Sequence, residues 1–206
     1  FNRCAISALT EIHLCPTTVS AANLRKEGRN GVHIVGNTVL DNLNGVNTTA
    51  SNTVIVTLHR REKLDKIKDW FLAVNNLAKE YKHLDFVLPI HPNPEVRKHS
   101  SILSDVRVVD PMSHAEFIKQ LSSCAFIITD SGGVQEEAAF LKKPCIVCRD
   151  FTERVEGLGV FSVLCKEPNE LGGLIKRATS TDLKSSVCPY GDGKSAQYIC
   201  DLINNV

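Results

Sequence analysis

The strongest constraint on this chain is an alternation. Short runs rich in β-branched and aromatic residues recur at 54–57, 86–90, 106–109, 126–129, 145–148 and 160–164. Between most of them lie segments with apolar residues at helical spacing. The segment 64–81 carries Ile67, Phe71, Val74, Leu77 and Ala78 on one face, and similar patterns occupy 113–122, 134–141 and 167–178, with a shorter piece at 94–100. Strands that alternate with helices are joined by crossovers. The expected fold is therefore α/β, a Rossmann-like parallel sheet with helices on both faces. A smaller piece of the same kind comes first: a helix end at 2–9, a strand at 12–15, a Pro16-Thr17-Thr18 turn suited to cap a helix at 19–27, and a strand at 32–35. Residues 42–52 are rich in Asn, Thr, Gly and Ser without periodicity, which places a loop there and a domain boundary near 36–52. A last helix is expected at 193–203.

Sheets of this class bind ligands beyond the carboxyl ends of their strands. The segments that follow the strands are correspondingly polar: Thr57-Leu58-His59-Arg60-Arg61-Glu62, His91-Pro92-Asn93-Pro94, Asp110-Pro111, Asp130-Ser131-Gly132-Gly133 and Arg149-Asp150-Phe151-Thr152-Glu153-Arg154. The central one is Thr129 to Ala138, where a strand, a glycine turn and a helix follow one another. The first N–H groups of a helix lack intrahelical partners, the helix dipole adds positive charge, and two glycines let an anion approach the backbone. Ser131, Gly132 and Gly133 are thus candidates for a phosphate. Glu136 and Glu137, early in the helix, have the reach and charge to bind ribose hydroxyls. His59, Arg60, His91, Arg149 and Arg154 would supply cations to a diphosphate at this rim. Plainer roles exist for each: Ser131 as a helix cap, the histidines as capping groups, and Arg149 or Arg154 as partners of Asp150, Glu153 or Glu156.

Composition narrows the function classes. A formal net charge of +1, with both signs interleaved, gives no electrostatic basis for capturing nucleic acid or an anionic membrane. No run is long and apolar enough to span a bilayer, and the opening residues lack a signal-peptide pattern, so a cytoplasmic location is expected. Neither Gly-x-x-x-x-Gly-Lys-Ser/Thr nor Gly-x-Gly-x-x-Gly occurs, which argues against a P-loop NTPase or a dehydrogenase. The eight cysteines are read as reduced thiols. Cys124, Cys145, Cys148 and Cys165 fall in or beside strand-like runs, and Cys145 and Cys148 on one strand would point to opposite faces. No metal site and no cofactor is expected.

With those segments in view, the chain resembles the non-hydrolysing UDP-N-acetylglucosamine 2-epimerases. The resemblance rests on Gly36-Asn37-Thr38-Val39, His59-Arg60-Arg61-Glu62, Pro89-Ile90-His91-Pro92-Asn93-Pro94, Asp130 to Ala138, Arg149 to Arg154, and Pro189-Tyr190-Gly191-Asp192-Gly193-Lys194, in the family's order and over nearly the whole chain. It implies one half of a GT-B fold, two Rossmann-like domains facing across a cleft. Residues 1–37 would end the N-terminal domain, 38–190 would form the C-terminal UDP-binding domain, and 191–206 would be a helix crossing back. Asn2-Arg3 matches the pair that follows the family's Pro-Glu-Glu motif, which puts the family's proton-transfer carboxylates upstream of this chain. The N-terminal half is thus an implied partner, and a homodimer is implied at full length.

The resemblance also implies roles. His59 matches a catalytic histidine that contacts the diphosphate, Ser131 and Gly132 the phosphate turn, Glu137 the ribose carboxylate, and Arg154 a nucleotide-contacting arginine. Arg60 and His91 match positions near an allosteric second UDP-N-acetylglucosamine in bacterial members. Departures from the usual pattern are Lys63 for Asn, Ala139 for Pro, Lys142 for Gly, Phe151 for Thr and Val155 for Pro. The implied reaction interconverts UDP-N-acetylglucosamine and UDP-N-acetylmannosamine by anti elimination of UDP to a 2-acetamidoglucal and readdition. Alternatives are a hydrolysing epimerase that releases N-acetylmannosamine and UDP, and a non-catalytic UDP-sugar-binding module. A glycosyltransferase of the same fold is disfavoured by the His-Arg-Arg-Glu and Arg-Asp-Phe-Thr-Glu-Arg segments.

Overall fold

The computed structural model describes residues 1–205, apart from the side chains of 61–63. Arg61 and Glu62 of the His-Arg-Arg-Glu segment, and Lys63 beside it, therefore have side chains outside the described residues. The chain forms two compact units, 1–45 with 188–206, and 46–187.

In the first unit, helix α1 (Asn2–Leu9) precedes strand β1 (His13–Cys15), helix α2 (Thr18–Lys26) and strand β2 (Val32–Ile34). The strands pair in parallel, His13 opposite Val32. As the Pro-Thr-Thr turn predicts, Thr17 caps α2: its Oγ1 accepts the Ser20 N–H at 3.2 Å. The last helix, α8 (Ser195–Asn204), belongs here. Its first N–H groups, on Ser195 and Ala196, donate to the Asp41 carboxylate at 2.9 and 2.6 Å, a cap contributed from far away in the sequence.

The second unit is a six-stranded, wholly parallel sheet: β3 (Thr53–Thr57), β4 (Asp85–Pro89), β5 (Arg107–Val109), β6 (Phe126–Thr129), β7 (Cys145–Val147) and β8 (Ser162–Leu164). The strand order is β5-β4-β3-β6-β7-β8. The chain starts at the middle, winds outward to one edge, then returns to lay β6 against the other side of β3. In such a doubly wound sheet the crevice lies where the order reverses, between β3 and β6. There Val54 to Thr57 pair with Phe126 to Thr129 in register.

The helices are α3 (Ile67–Glu80), the short α4 (Pro94–Arg97), α5 (His114–Ser123), α6 (Gly132–Phe140) and α7 (Leu171–Ser180). The expected helix at 64–81 begins as a tighter turn over Arg61–Lys66 before α3 proper. Val54, Val56, Phe86, Leu88, Phe126 and Ile128 form a core with Trp70, Phe71, Val74 and Ile175 from α3 and α7. Residues between them in sequence, Ile55, Val87 and Ile127, are also buried, so both sheet faces are covered, as the continuous apolar strands require.

One boundary differs in a way that matters. The two glycines are the first residues of α6 and not a turn ahead of it. The link from β6 to α6 is thus only Asp130 and Ser131. All eight cysteines are free, and burial pushes the Cys124 thiol up to about 12. Among the described residues no helix is long and apolar enough to cross a membrane.

Candidate functional site

A cleft of about 330 Å³ opens at the reversal point of the sheet. Thr57 and His59 after β3, Pro89, Ile90, His91 and Pro92 after β4, Pro111, Met112, His114 and Phe117 around the start of α5, and Ser131 with Val134 of α6 form its walls. Its size falls in the range of small-molecule sites, and its walls are mainly apolar with a few polar groups. Of the residues expected from the sequence, His59, His91 and Ser131 line it.

The junction of β6 and α6 is held by hydroxyl bonds. The Thr57 and Thr129 Oγ1 atoms lie 2.6 Å apart across the two central strands, and Thr129 Oγ1 accepts the Ser131 N–H at 3.0 Å. Ser131 makes no side-chain cap bond to α6, so the plainer role of a serine cap is not taken up. Arg154 lies directly over Gly132: a Cβ built there would be 3.0 Å from the guanidinium carbon. Gly133 faces open space.

The arginine segment is tied to α6. Thr152 Oγ1 donates to Gln135 Oε1 at 2.9 Å, and Gln135 Nε2 donates to the Ser131 carbonyl at 3.1 Å. Arg154 Nε donates to Glu136 at 2.9 Å, and its Nη1 pairs with Glu153. Arg149 pairs with Glu153 at 2.8 Å. Burial works against the Glu153 charge, but the backbone hydrogen bond, Arg154 and Arg149 together hold its carboxyl below the usual range. The arginines thus take the ion pairs expected of a plainer role while Arg154 still stands over Gly132.

Glu137 is buried on α6, with 5% exposure, and its Oε1 lies 2.8 Å from His114 Nε2. His114 was not singled out by sequence. The available signal was the capping box of α5, in which the Ser113 hydroxyl accepts the Glu116 N–H and the Glu116 carboxylate accepts the Ser113 N–H. That box places His114 at the first helical position and Phe117 one turn on, both at the cleft. Of the two residues expected near an activator, His91 stacks on His59 with ring centroids 4.9 Å apart and planes 3° from parallel. Burial, then the neighbouring His59, keep the His91 ring below its ordinary range, against the pull of Asp130. Arg60 does not line the cleft; its backbone N–H donates to Asp130 at 2.7 Å. Among the described residues no cluster of three or more His, Cys, Asp or Glu is placed to hold a metal ion.

The cleft at the reversal point thus brings His59, His91 and Ser131 together beside the start of α6, with Arg154 over Gly132 next to it. The family model described as UDP-N-acetylglucosamine 2-epimerase matches residues 1–204. A protein of that name from Campylobacter jejuni is 35% identical over 98% of this chain and 62% of its own length. Another from Bacillus subtilis is 32% identical over 97% of this chain and 59% of its own length. The crystal structure of the Neisseria meningitidis UDP-GlcNAc 2-epimerase bound to UDP-GlcNAc superposes with a TM-score of 0.81 at 30% identity, over 97% of this chain and 63% of that one. The chain thus spans less than two thirds of the length of these relatives.

Proposed function

We propose, since this chain belongs to the UDP-N-acetylglucosamine 2-epimerase family, that it is the nucleotide-binding half of an enzyme inverting C2 of UDP-N-acetylglucosamine to give UDP-N-acetylmannosamine. The observation that carries the reading is the start of α6 at the reversal point, without a serine cap, with His59 across the cleft and Arg154 over Gly132. In this reading the diphosphate sits on Ser131, Gly132 and Gly133, where the first N–H groups of the helix and its dipole favour an anion. Glu137 accepts from the ribose, and uracil enters the apolar part of the cleft between Pro89, Pro111, Met112 and Phe117.

The same groups serve the chemistry. The C2 proton of the sugar is not acidic, so direct deprotonation is unattractive. Loss of that proton with anti cleavage of the C1–O bond gives a 2-acetamidoglucal and UDP, and readdition to the other face inverts C2. Charge builds on the departing diphosphate, which the α6 N-terminus, His59 and Arg154 stabilise. The carboxylates that move the C2 protons are assigned outside these 206 residues, in a facing Rossmann-like half of a GT-B pair, so that this chain alone binds without turnover.

Calorimetric titration of UDP into the chain, beside Glu137→Ala and Arg154→Ala, tests the reading. Saturable binding, weakened about tenfold or more by each change as expected for losing a charge-assisted hydrogen bond, supports it. A folded chain whose UDP binding is indifferent to both changes refutes the site; epimerisation by the isolated chain refutes the division of labour.

A further inference from the structure

The nucleotide reading leaves one buried charge unused. Asp130, between β6 and Ser131, is 1% exposed. The backbone N–H groups of His59 and Arg60 both donate to a single oxygen of it, Oδ2, each at 2.7 Å. The other oxygen, Oδ1, accepts no hydrogen bond and faces His59 Nδ1 at 3.5 Å. Burial raises the Asp130 carboxyl above its usual range, opposed by the two N–H groups and by His59 and Arg60, so keeping a carboxylate here costs stability. A plain loop anchor does not need that charge, since a neutral carbonyl oxygen accepts the same two bonds.

We infer that Asp130 is a positioning residue for His59: Oδ2 fixes the backbone of the strand end, and Oδ1 holds the imidazole with Nδ1–H turned inward, leaving Nε2 for the anion in the cleft. The inference rests on the reading of His59 as a diphosphate contact. The charged and titratable groups around the ring agree with it. His91, stacked on His59, has its Nδ1 engaged as the acceptor of the Asn93 N–H at 3.2 Å, which fits a neutral ring. Arg60 follows in the chain. Cys148, beyond β7 and influenced by Asp130, is held as a thiol by burial. Among the described residues, Asp130 is the buried carboxylate that faces Nδ1, at 3.5 Å. A protonated His59 would lie between this carboxylate and the diphosphate, giving one hydrogen bond to each, and could hold its charge as the diphosphate leaves.

The test is Asp130→Asn. An amide with its carbonyl at the Oδ2 position still accepts both backbone N–H groups, but it places an NH₂ donor against Nδ1. A merely structural role predicts no change in the ring. The inference predicts that long-range ¹⁵N correlation spectra show neutral His59 as the Nδ1–H tautomer in the unmodified chain and as the Nε2–H tautomer in Asp130→Asn, with UDP affinity down about tenfold or more. An Nε2–H tautomer in the unmodified chain overturns it, even if the variant fails to fold. So does a folded Asp130→Asn whose tautomer and UDP affinity are unchanged. Failure of the unmodified chain to bind UDP counts against the nucleotide reading alone, because the tautomer is read without ligand.

Discussion

Replacing the two glycines of α6 one at a time by alanine separates stability from binding. Neither needs glycine for backbone reasons, since both are in the first turn of a helix and neither has a left-handed φ. Removing a glycine from a position an alanine can adopt stabilises by about 0.4–1 kcal/mol through the unfolded chain. At Gly133 the new methyl meets nothing within 4 Å, so the full gain is expected. At Gly132 it meets Arg154 Cζ at 3.0 Å and Nη1 and Glu153 Oε1 at 3.1 Å, ends of flexible side chains that yield by a few tenths of an ångström. Their displacement offsets the gain, leaving Gly132→Ala near neutral. Binding moves the other way. Each methyl stands where an anion would touch the backbone, and the loss of one charge-assisted hydrogen bond, about 1.5–3 kcal/mol, weakens UDP by about 10- to 160-fold. Thermal melts and calorimetry read the two quantities on the same samples. If Gly133→Ala lost more than about 1 kcal/mol of stability, the open space would be misjudged; if both variants bound UDP like the parent, the glycines would not hold the phosphates.

Three further outcomes are expected. Lys142 has φ 58°, and its Nζ donates to the Ser186 carbonyl at 2.7 Å and lies 5.5 Å above the Phe161 ring. Lys142→Met, which keeps the strained backbone and loses both contacts, should cost about 1–2 kcal/mol, while Lys142→Gly recovers about 1 kcal/mol of that by relieving the left-handed strain; equal urea midpoints for the two would refute the strain argument. Thr152→Val strips the buried Gln135 Oε1 of its donor and the Arg154 N–H of its acceptor, 3.1 Å away, so unfolding free energy should fall by about 1–3 kcal/mol and UDP affinity should fall with it. Because the His91 ring is held below its usual range in the folded state, the unfolded chain binds more protons there. That contribution is present above about pH 6.5 and lost as pH falls through and below it, and His91→Gln should flatten this part of the stability profile between pH 7.5 and 5.5; an unchanged profile would contradict it.

What was legible in the sequence was local. Strand and helix periods recovered the elements because a doubly buried strand must be apolar throughout and a covering helix must be apolar on one stripe. Thr17 and Ser113 announced their helices by chemistry that acts within three residues. Lys142 stands where the resembled family has glycine, and the structure gives the backbone reason in its positive φ. The candidates His59, Ser131, Gly132 and Arg154 were named because they follow strand ends, where ligands bind in this fold class. Their partners were not found. Glu136, Thr152 and Gln135 hold Arg154 and its segment against Gly132 by contacts across 17 or 18 residues. His114 meets Glu137 across 23 residues.

The Asp130 contacts span 70 and 71 residues, and no periodicity reaches that far. They depend on strand order, for which the alternation of elements is silent: the same segments could be laid down in several parallel orders. Once β6 returns beside β3, the first residue after β6 lies under the first two polar residues after β3, and its charge acquires a purpose. Asp130 was visible in the sequence as part of a glycine motif and had no role there. Its role is a property of the neighbourhood that the topology creates, and this is why residues that meet a ligand can be named from local patterns while those that hold them in place need the sheet.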